Sequence, residues 1–239
     1  MNICLTCNHS PWSKYSGGGE IVALNLARQW AKMGHNVFML YPAKKKREYP
    51  DDLNYRVIEV RDLGQYDRGL NIFAMLKSAR KLVSQTPIDI VAGNADEAAL
   101  LHFLTKRNRR PIFIMIAHQP YKIPYKVTWD LSKPARLLKE RVLYLQKYAF
   151  EHAVRVFSVS NFTKNWLVTT LGIPAEKIEV VYNGVASEFF DIPRMKMPSD
   201  EIVVTTWGRL VPQKGVDILL RCLPLVLEGL LSTNMKIHV

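Results

Sequence analysis

The sequence predicts a doubly wound α/β fold, a parallel sheet covered by helices on both faces, followed by the start of a second unit of the same kind. Three observations carry that reading. Strand-like and helix-like segments alternate from Asn2 to Tyr182. The run Pro111–Ala117 is almost continuously apolar, as in a central parallel strand buried on both faces. After a stretch containing Pro193 and Pro198, a strand, a glycine turn and an apolar helix recur.

Composition narrows the class. The 239 residues are 48% hydrophobic and 23% charged, ordinary for a globular protein. The net charge of +12 is not ordinary and points to an anionic partner: a phosphate ligand, a membrane surface or nucleic acid. Three cysteines are too few for a disulfide framework, which suits a reducing compartment. No apolar run reaches the ~18 residues of a membrane span, and no basic leader precedes an apolar one at the N-terminus. A cytoplasmic protein is expected.

Taken in order, Asn2–Cys7 reads as the first strand. Cys4 and Cys7 have ligand-like spacing, but no second pair follows and strand alternation sends them to opposite faces, so buried cysteines are expected and no metal site. Gly17-Gly18-Gly19-Glu20 then opens a helix with apolar positions Ala23, Leu24, Ala27, Trp30 and Ala31, ended by Gly34. Three glycines before a helix allow close approach to a bound group; taken alone, they suit a flexible βα turn equally. The spacing is not that of a Gly-x-Gly-x-x-Gly dinucleotide loop.

The second strand is Val37–Leu40, the basic run Lys44–Arg47 a solvated loop, and the third strand Tyr55–Val60. A helix fits Leu70–Val83, broken by Pro87, and Ile88–Ala92 is the fourth strand. Glu97–Lys106 is helical and Pro111–Ala117 is the fifth strand. His118 stands at that strand's carboxyl end, the edge where open α/β sheets bind ligands. Leu137–Ala153 is a helix and Val154–Val159 a strand. Ser160 caps a helix over Asn161–Leu171 that stops at Gly172. Ile178–Tyr182 is the last strand of the first domain, turning at Asn183-Gly184. A short strand over Val203–Thr206 ends at Gly208. A loop with Arg209, Pro212 and Lys214 leads to a helix through Val216, Leu219, Leu220 and Leu223, and Met235–Val239 begins another strand. A helix N-terminus beside Arg209 and Lys214 suits a phosphate; two solvated cations at a helix start is the equal alternative.

These motifs resemble those of one family. Gly208-Arg209-Leu210, four residues, Lys214-Gly215, then Asp217-Ile218-Leu219-Leu220 is similar to the donor-phosphate motif of family-4 (group 1) retaining glycosyltransferases. Those enzymes have two Rossmann-like domains, the GT-B architecture. Ser16–Glu20, then Leu26-Ala27, then Gly34-His35-Asn36-Val37 resembles the family's opening, and Ala153–Thr163 and Val180–Val185 its first-domain close, with Ala186 where an aspartate is usual. The resemblance implies a first domain over 1–186, a hinge over 187–200, and an incomplete donor-binding domain over 201–239. It implies that Arg209, Lys214, Gly18 and Gly19 hold the donor diphosphate without a required metal or other cofactor, and that His118 binds and orients the donor sugar. It also implies a nucleotide-diphosphate sugar donor, a glycan or lipid-linked acceptor, and retention of configuration.

Two Rossmann-like domains need roughly 300–400 residues. The family's second domain carries a pair of glutamates, whereas only Glu228 follows Gly208 here. A fragment of a longer enzyme, or a shortened non-catalytic relative that binds acceptor or membrane, is therefore expected. Residues 104–147 hold eleven basic side chains against Asp130 and Glu140, a net of +9, with Tyr121, Ile123, Tyr125, Val127, Trp129 and Leu131 interleaved. A solvated helix flank accounts for that stretch. An acceptor-side surface on anionic lipid at the inner face of the membrane accounts for it too, at about 1 kcal/mol per nearby cation. No helix-turn-helix, RNA-recognition or finger signature supports nucleic acid.

Overall fold

The computed structural model describes residues 1–7, 9–12, 16–43, 49, 53–61, 68–94, 111–119, 144, 147–185, 187–193, 201–208, 210, 214–230 and 236–238. The chain divides into two compact units, Met1–Gly184 and Val185–Val239. The first is built on seven parallel strands: β1 (Asn2–Thr6), β2 (Asn36–Ala43), β3 (Arg56–Arg61), β4 (Ile90–Gly93), β5 (Ile112–Ala117), β6 (Arg155–Ser158) and β7 (Ile178–Val180). Their order across the sheet is β3-β2-β1-β4-β5-β6-β7. Among the described residues its helices include α1 (Gly18–Lys32), α2 (Arg68–Gln85) and α3 (Asn161–Leu171). Residues 147–152 are helical as well. This is the doubly wound, Rossmann-like class that the alternation predicts.

Strand alternation divides the buried side chains between the two faces. Leu5, Cys7, Val37, Met39, Tyr41, Ala92 and Ile116 form one layer with Ala23, Leu24 and Ala27 of α1. Cys4, Phe38, Leu40, Val91, Phe113 and Met115 form the other with Met75, Ala79 and Leu82 of α2, Phe150, and Leu167 of α3. Cys4 and Cys7 are thus buried on opposite faces, and burial pushes the Cys4 thiol up to about 12. A thiol held neutral in that way is a small apolar side chain and not a nucleophile.

Helix ends follow local chemistry. The hydroxyl of Ser160 accepts the Thr163 N–H at 3.1 Å, and Gly172 takes φ +70° after Leu171, so α3 has the expected bounds. Gly34, at φ +84°, closes α1. Among the described residues no helix is long and apolar enough to cross a membrane.

Strand ends differ from expectation by up to three residues. β2 runs past Leu40 to Ala43, through Pro42, because its pairing with β1 ends at Leu40 while that with β3 continues to Ala43. A missing N–H is tolerated where the strand has one neighbour. β4 begins at Ile90 rather than Ile88, because its first partners are Ile3 on β1 and Ile112 on β5. β7 stops at Val180, since the pairing with β6 ends at Ser158. Burial of β5 on both faces holds from Met115 to Ala117, whereas Ile112 at its amino end is 53% exposed.

The second unit holds β8 (Glu201–Val203), α4 (Val216–Leu230) and β9 (Lys236–His238), a parallel βαβ unit. Here the expected strand Val203–Thr206 is displaced to Glu201–Val203. Val203 pairs with His238, where the described part of β9 ends, and among the described residues no strand pairs with Val204–Thr206. The basic loop Lys44–Arg47, the helix expected over Glu97–Lys106, most of the basic stretch 104–147, Ala186, residues 194–200, Arg209 and Pro212 lie outside the described residues.

Candidate functional site

The strand order fixes where a ligand crevice opens. From β1 the chain moves outward to β2 and β3, then returns to pair β4 on the other edge of β1. Connections leaving β1 and β4 diverge at that reversal, at the carboxyl ends of the strands. Three polar elements meet there: the glycine loop that leaves β1 and opens α1, Asn94 just beyond β4, and His118 just beyond β5.

The start of α1 is open to an anion. Gly17 is its N-cap and has no side chain to cap it, and the first intrahelical bond runs from the Ile21 N–H to the Gly17 carbonyl at 3.3 Å. Gly18 and Gly19 therefore carry N–H groups of the kind that helix starts offer to phosphate. Glu20 takes up the Gly17 N–H at 2.8 Å through Oε2. Two buried hydroxyls flank this loop without a hydrogen-bond partner among the described residues, Thr6 Oγ1 at the end of β1 and Ser16 Oγ before the glycines.

Asn94 ties the loop to the histidine. Its Nδ2 donates to the Gly19 carbonyl at 3.0 Å and faces Cys7 Sγ at 3.8 Å, while its Oδ1 lies 2.5 Å from His118 Nε2. Asn94 is 5% exposed, so an amide without those partners would cost about 1–3 kcal/mol. Burial holds the His118 imidazole below its usual pKa, opposed by the charge of Glu20. At neutral pH the ring is uncharged, able to donate from one nitrogen and accept at the other. The glycine loop is packed on this ring: a Cβ on Gly19 would come within 3.2 Å of His118 Cδ2, whereas one on Gly18 would meet nothing within 4 Å.

Of the residues singled out in the sequence, Gly18, Gly19 and His118 come together at this crevice. Lys214 lies in the second unit, exposed just before α4, with its methylenes against Gly208: a Cβ there would sit 3.8 Å from Lys214 Cγ and Cδ. Arg209 lies outside the described residues. Asn94 was missed. It follows the expected end of the fourth strand by two residues, and a polar side chain at the carboxyl end of a strand next to the topological switch was the available signal. Among the described residues no group of three or more metal-ligating side chains occurs.

Comparison with known proteins agrees with this architecture. Residues 16–189 match the model of Glycosyltransferase Family 4. The chain is 37% identical over 238 residues to the phosphatidylinositol N-acetylglucosaminyltransferase GPI3 subunit of Saccharomyces cerevisiae (strain YJM789), covering 95% of this chain and 50% of that protein. It thus spans about half the length of that curated relative. In fold it is similar to sucrose-phosphate synthase from Thermosynechococcus elongatus, with a TM-score of 0.74 at 15% identity over 94% of this chain and 60% of the other. It is similar too to HepE of Anabaena in complex with UDP-glucose, with a TM-score of 0.62 at 17% identity over 99% and 59%. The match over residues 16–189 shows the family: the chain belongs to Glycosyltransferase Family 4.

Proposed function

We propose that the protein containing this chain transfers a sugar from a nucleotide diphosphate to an acceptor with retention of configuration, and that this chain supplies the acceptor-side domain and the first part of the donor site. The observation that carries the reading is the convergence of the open α1 N-terminus, Asn94 and His118 at the topological switch point. Gly18 and Gly19 would lie against the diphosphate, with Arg209 and Lys214 neutralising it from the second domain, 201–239, across a hinge at 187–200. Positive groups there stabilise the leaving diphosphate without a metal ion. His118 would contact the donor sugar.

The relative's name supports a narrower version, in which N-acetylglucosamine is moved to phosphatidylinositol. The basic, aromatic-rich stretch 104–147 suits an anionic lipid acceptor at a membrane surface. The test is transfer from UDP-N-acetylglucosamine to phosphatidylinositol in vesicles, with product anomers read by NMR. Substitution Arg209→Ala at saturating donor should slow transfer roughly 10²–10³-fold. An unchanged rate removes Arg209 from the mechanism, and an inverted anomer removes retention.

The word "subunit" in that name favours a second reading: a non-catalytic part that binds acceptor or membrane. It predicts binding to anionic vesicles, weakened by salt and by charge reversal at Lys133, Arg136 and Lys139, without sugar transfer.

A further inference from the structure

We infer that Asn94 is a positioning residue that presents His118 to the donor sugar as a hydrogen-bond acceptor, through Nδ1. The inference rests on the reading that His118 meets the sugar. Its geometric part stands without it.

The direction of each bond follows from what the atoms can do. The Gly19 carbonyl only accepts, so the Asn94 side chain must turn its Nδ2 toward it, as the 3.0 Å contact shows. The other hydrogen of that amide has Cys7 Sγ at 3.8 Å. Oδ1 is thereby turned to His118 Nε2, and an amide oxygen cannot donate. The hydrogen between them belongs to Nε2. In a neutral imidazole that leaves Nδ1 with its lone pair, and Nδ1 has no hydrogen-bond partner among the described residues. The ring is half-buried at the crevice edge, and the charged group acting on it is Glu20.

The arrangement selects ligand chemistry. A bare Nδ1 takes a hydrogen from a sugar hydroxyl and repels a carbonyl or phosphate oxygen. It also links the glycine loop to the ring, so that a group bound at the α1 N-terminus and a sugar at His118 are set by one amide. Sequence pattern does not reveal this link, because Asn94 is 75 residues from Gly19 and 24 from His118.

The test is ring 15N NMR of His118 in the histidine-labelled 239-residue chain, near pH 7.5 and without ligand. The wild type should show a protonated Nε2 and a bare Nδ1. Asn94→Ala should leave Nε2–H in fast exchange with water. Asn94→Asp has the same shape and keeps an acceptor for Nε2 but adds a charge. It should protonate both nitrogens at the same pH, and it covers the case in which the alanine variant does not fold. A protonated Nδ1 in the wild type, or rings unchanged by both substitutions, overturns the inference.

Titration with UDP-N-acetylglucosamine and with UDP decides the sugar part. The sugar nucleotide should move the wild-type Nδ1 shift and UDP should not. Asn94→Ala should bind the sugar nucleotide about tenfold more weakly, a larger loss than the same substitution causes for UDP. Equal losses for both ligands would mean a merely structural role. Absence of the sugar-specific shift overturns the sugar contact and counts against the proposed function, while the ligand-free ring spectra decide the tautomer on their own.

Discussion

A Cβ built on Gly19 falls 3.2 Å from Cδ2 of His118 and 3.5 Å from its Cγ, so the third glycine of the run, in the first turn of α1, is packed against the imidazole and not merely exposed beside it. Alanine at Gly19 would require the ring to give by a few tenths of an ångström. The neighbouring Gly18 faces open space. Two adjacent glycines of one motif are therefore glycine for different reasons.

Gly19→Ala should displace His118 and disturb its bond to Asn94, seen as a shift of the His118 ring signals. Gly18→Ala should leave those signals in place and leave thermal stability equal or slightly higher, since alanine is favoured over glycine in a helix by up to about 1 kcal/mol. If Gly18→Ala destabilises the fold as much as Gly19→Ala, the packing distinction drawn from the Cβ positions is wrong.

The pH response of His118 has a definite sign. Burial lowers its pKa from the usual 6.5 in the folded chain. Between 6.5 and that lower value the unfolded chain binds more protons, so stability rises with pH there. The contribution is complete above about 6.5 and is lost as pH falls toward the folded value. NMR titration of the ring should give a midpoint below 6.5, and Glu20→Gln should lower it further by removing the opposing charge. A midpoint above 6.5 would reverse this account.

The ends of α3 can be weighed separately. Ser160→Ala removes the cap on the Thr163 N–H and should cost about 1 kcal/mol. Gly172→Ala places a side chain at φ +70°, at a cost of about 1–2 kcal/mol. The two changes share no contact, and their effects on urea unfolding, followed by the fluorescence of Trp166 packed on the core, should add within about 0.5 kcal/mol. Strong non-additivity would mean that the helix ends are coupled.

The second unit should behave differently from the first. Ile218, Leu220, Leu225, Val226 and Leu227 of α4 are between 45% and 68% exposed, and β8 and β9 pair over three residues each. Isolated two-stranded pairing is marginal in water, and apolar surface of this kind drives association. Amides of Ile202 and Val203 should exchange much faster than those of Phe113–Ile116. Sedimentation should show concentration-dependent association that Leu225→Glu reduces. Equal protection in the two sheets, in a chain that stays monomeric, would contradict both expectations.

What the sequence determined by itself is what local chemistry encodes. The alternation of strands and helices, the buried run at β5, and α3 with its hydroxyl cap and left-handed glycine were all legible, because each depends on residues within a turn or a strand of one another. The glycine loop and His118 were legible as positions on the ligand edge of a parallel sheet. Where each strand stops was decided by its partners: β2 continues to Ala43 because β3 continues beside it, and β8 ends at Val203 where its pairing with β9 ends. The bridge from Gly19 through Asn94 to His118 was decided by the tertiary structure alone. Periodicity reports which face a side chain takes, but not which distant strand lies beside it. The reversal that sets β4 against β1 brings those three residues together, and only the folded sheet contains it.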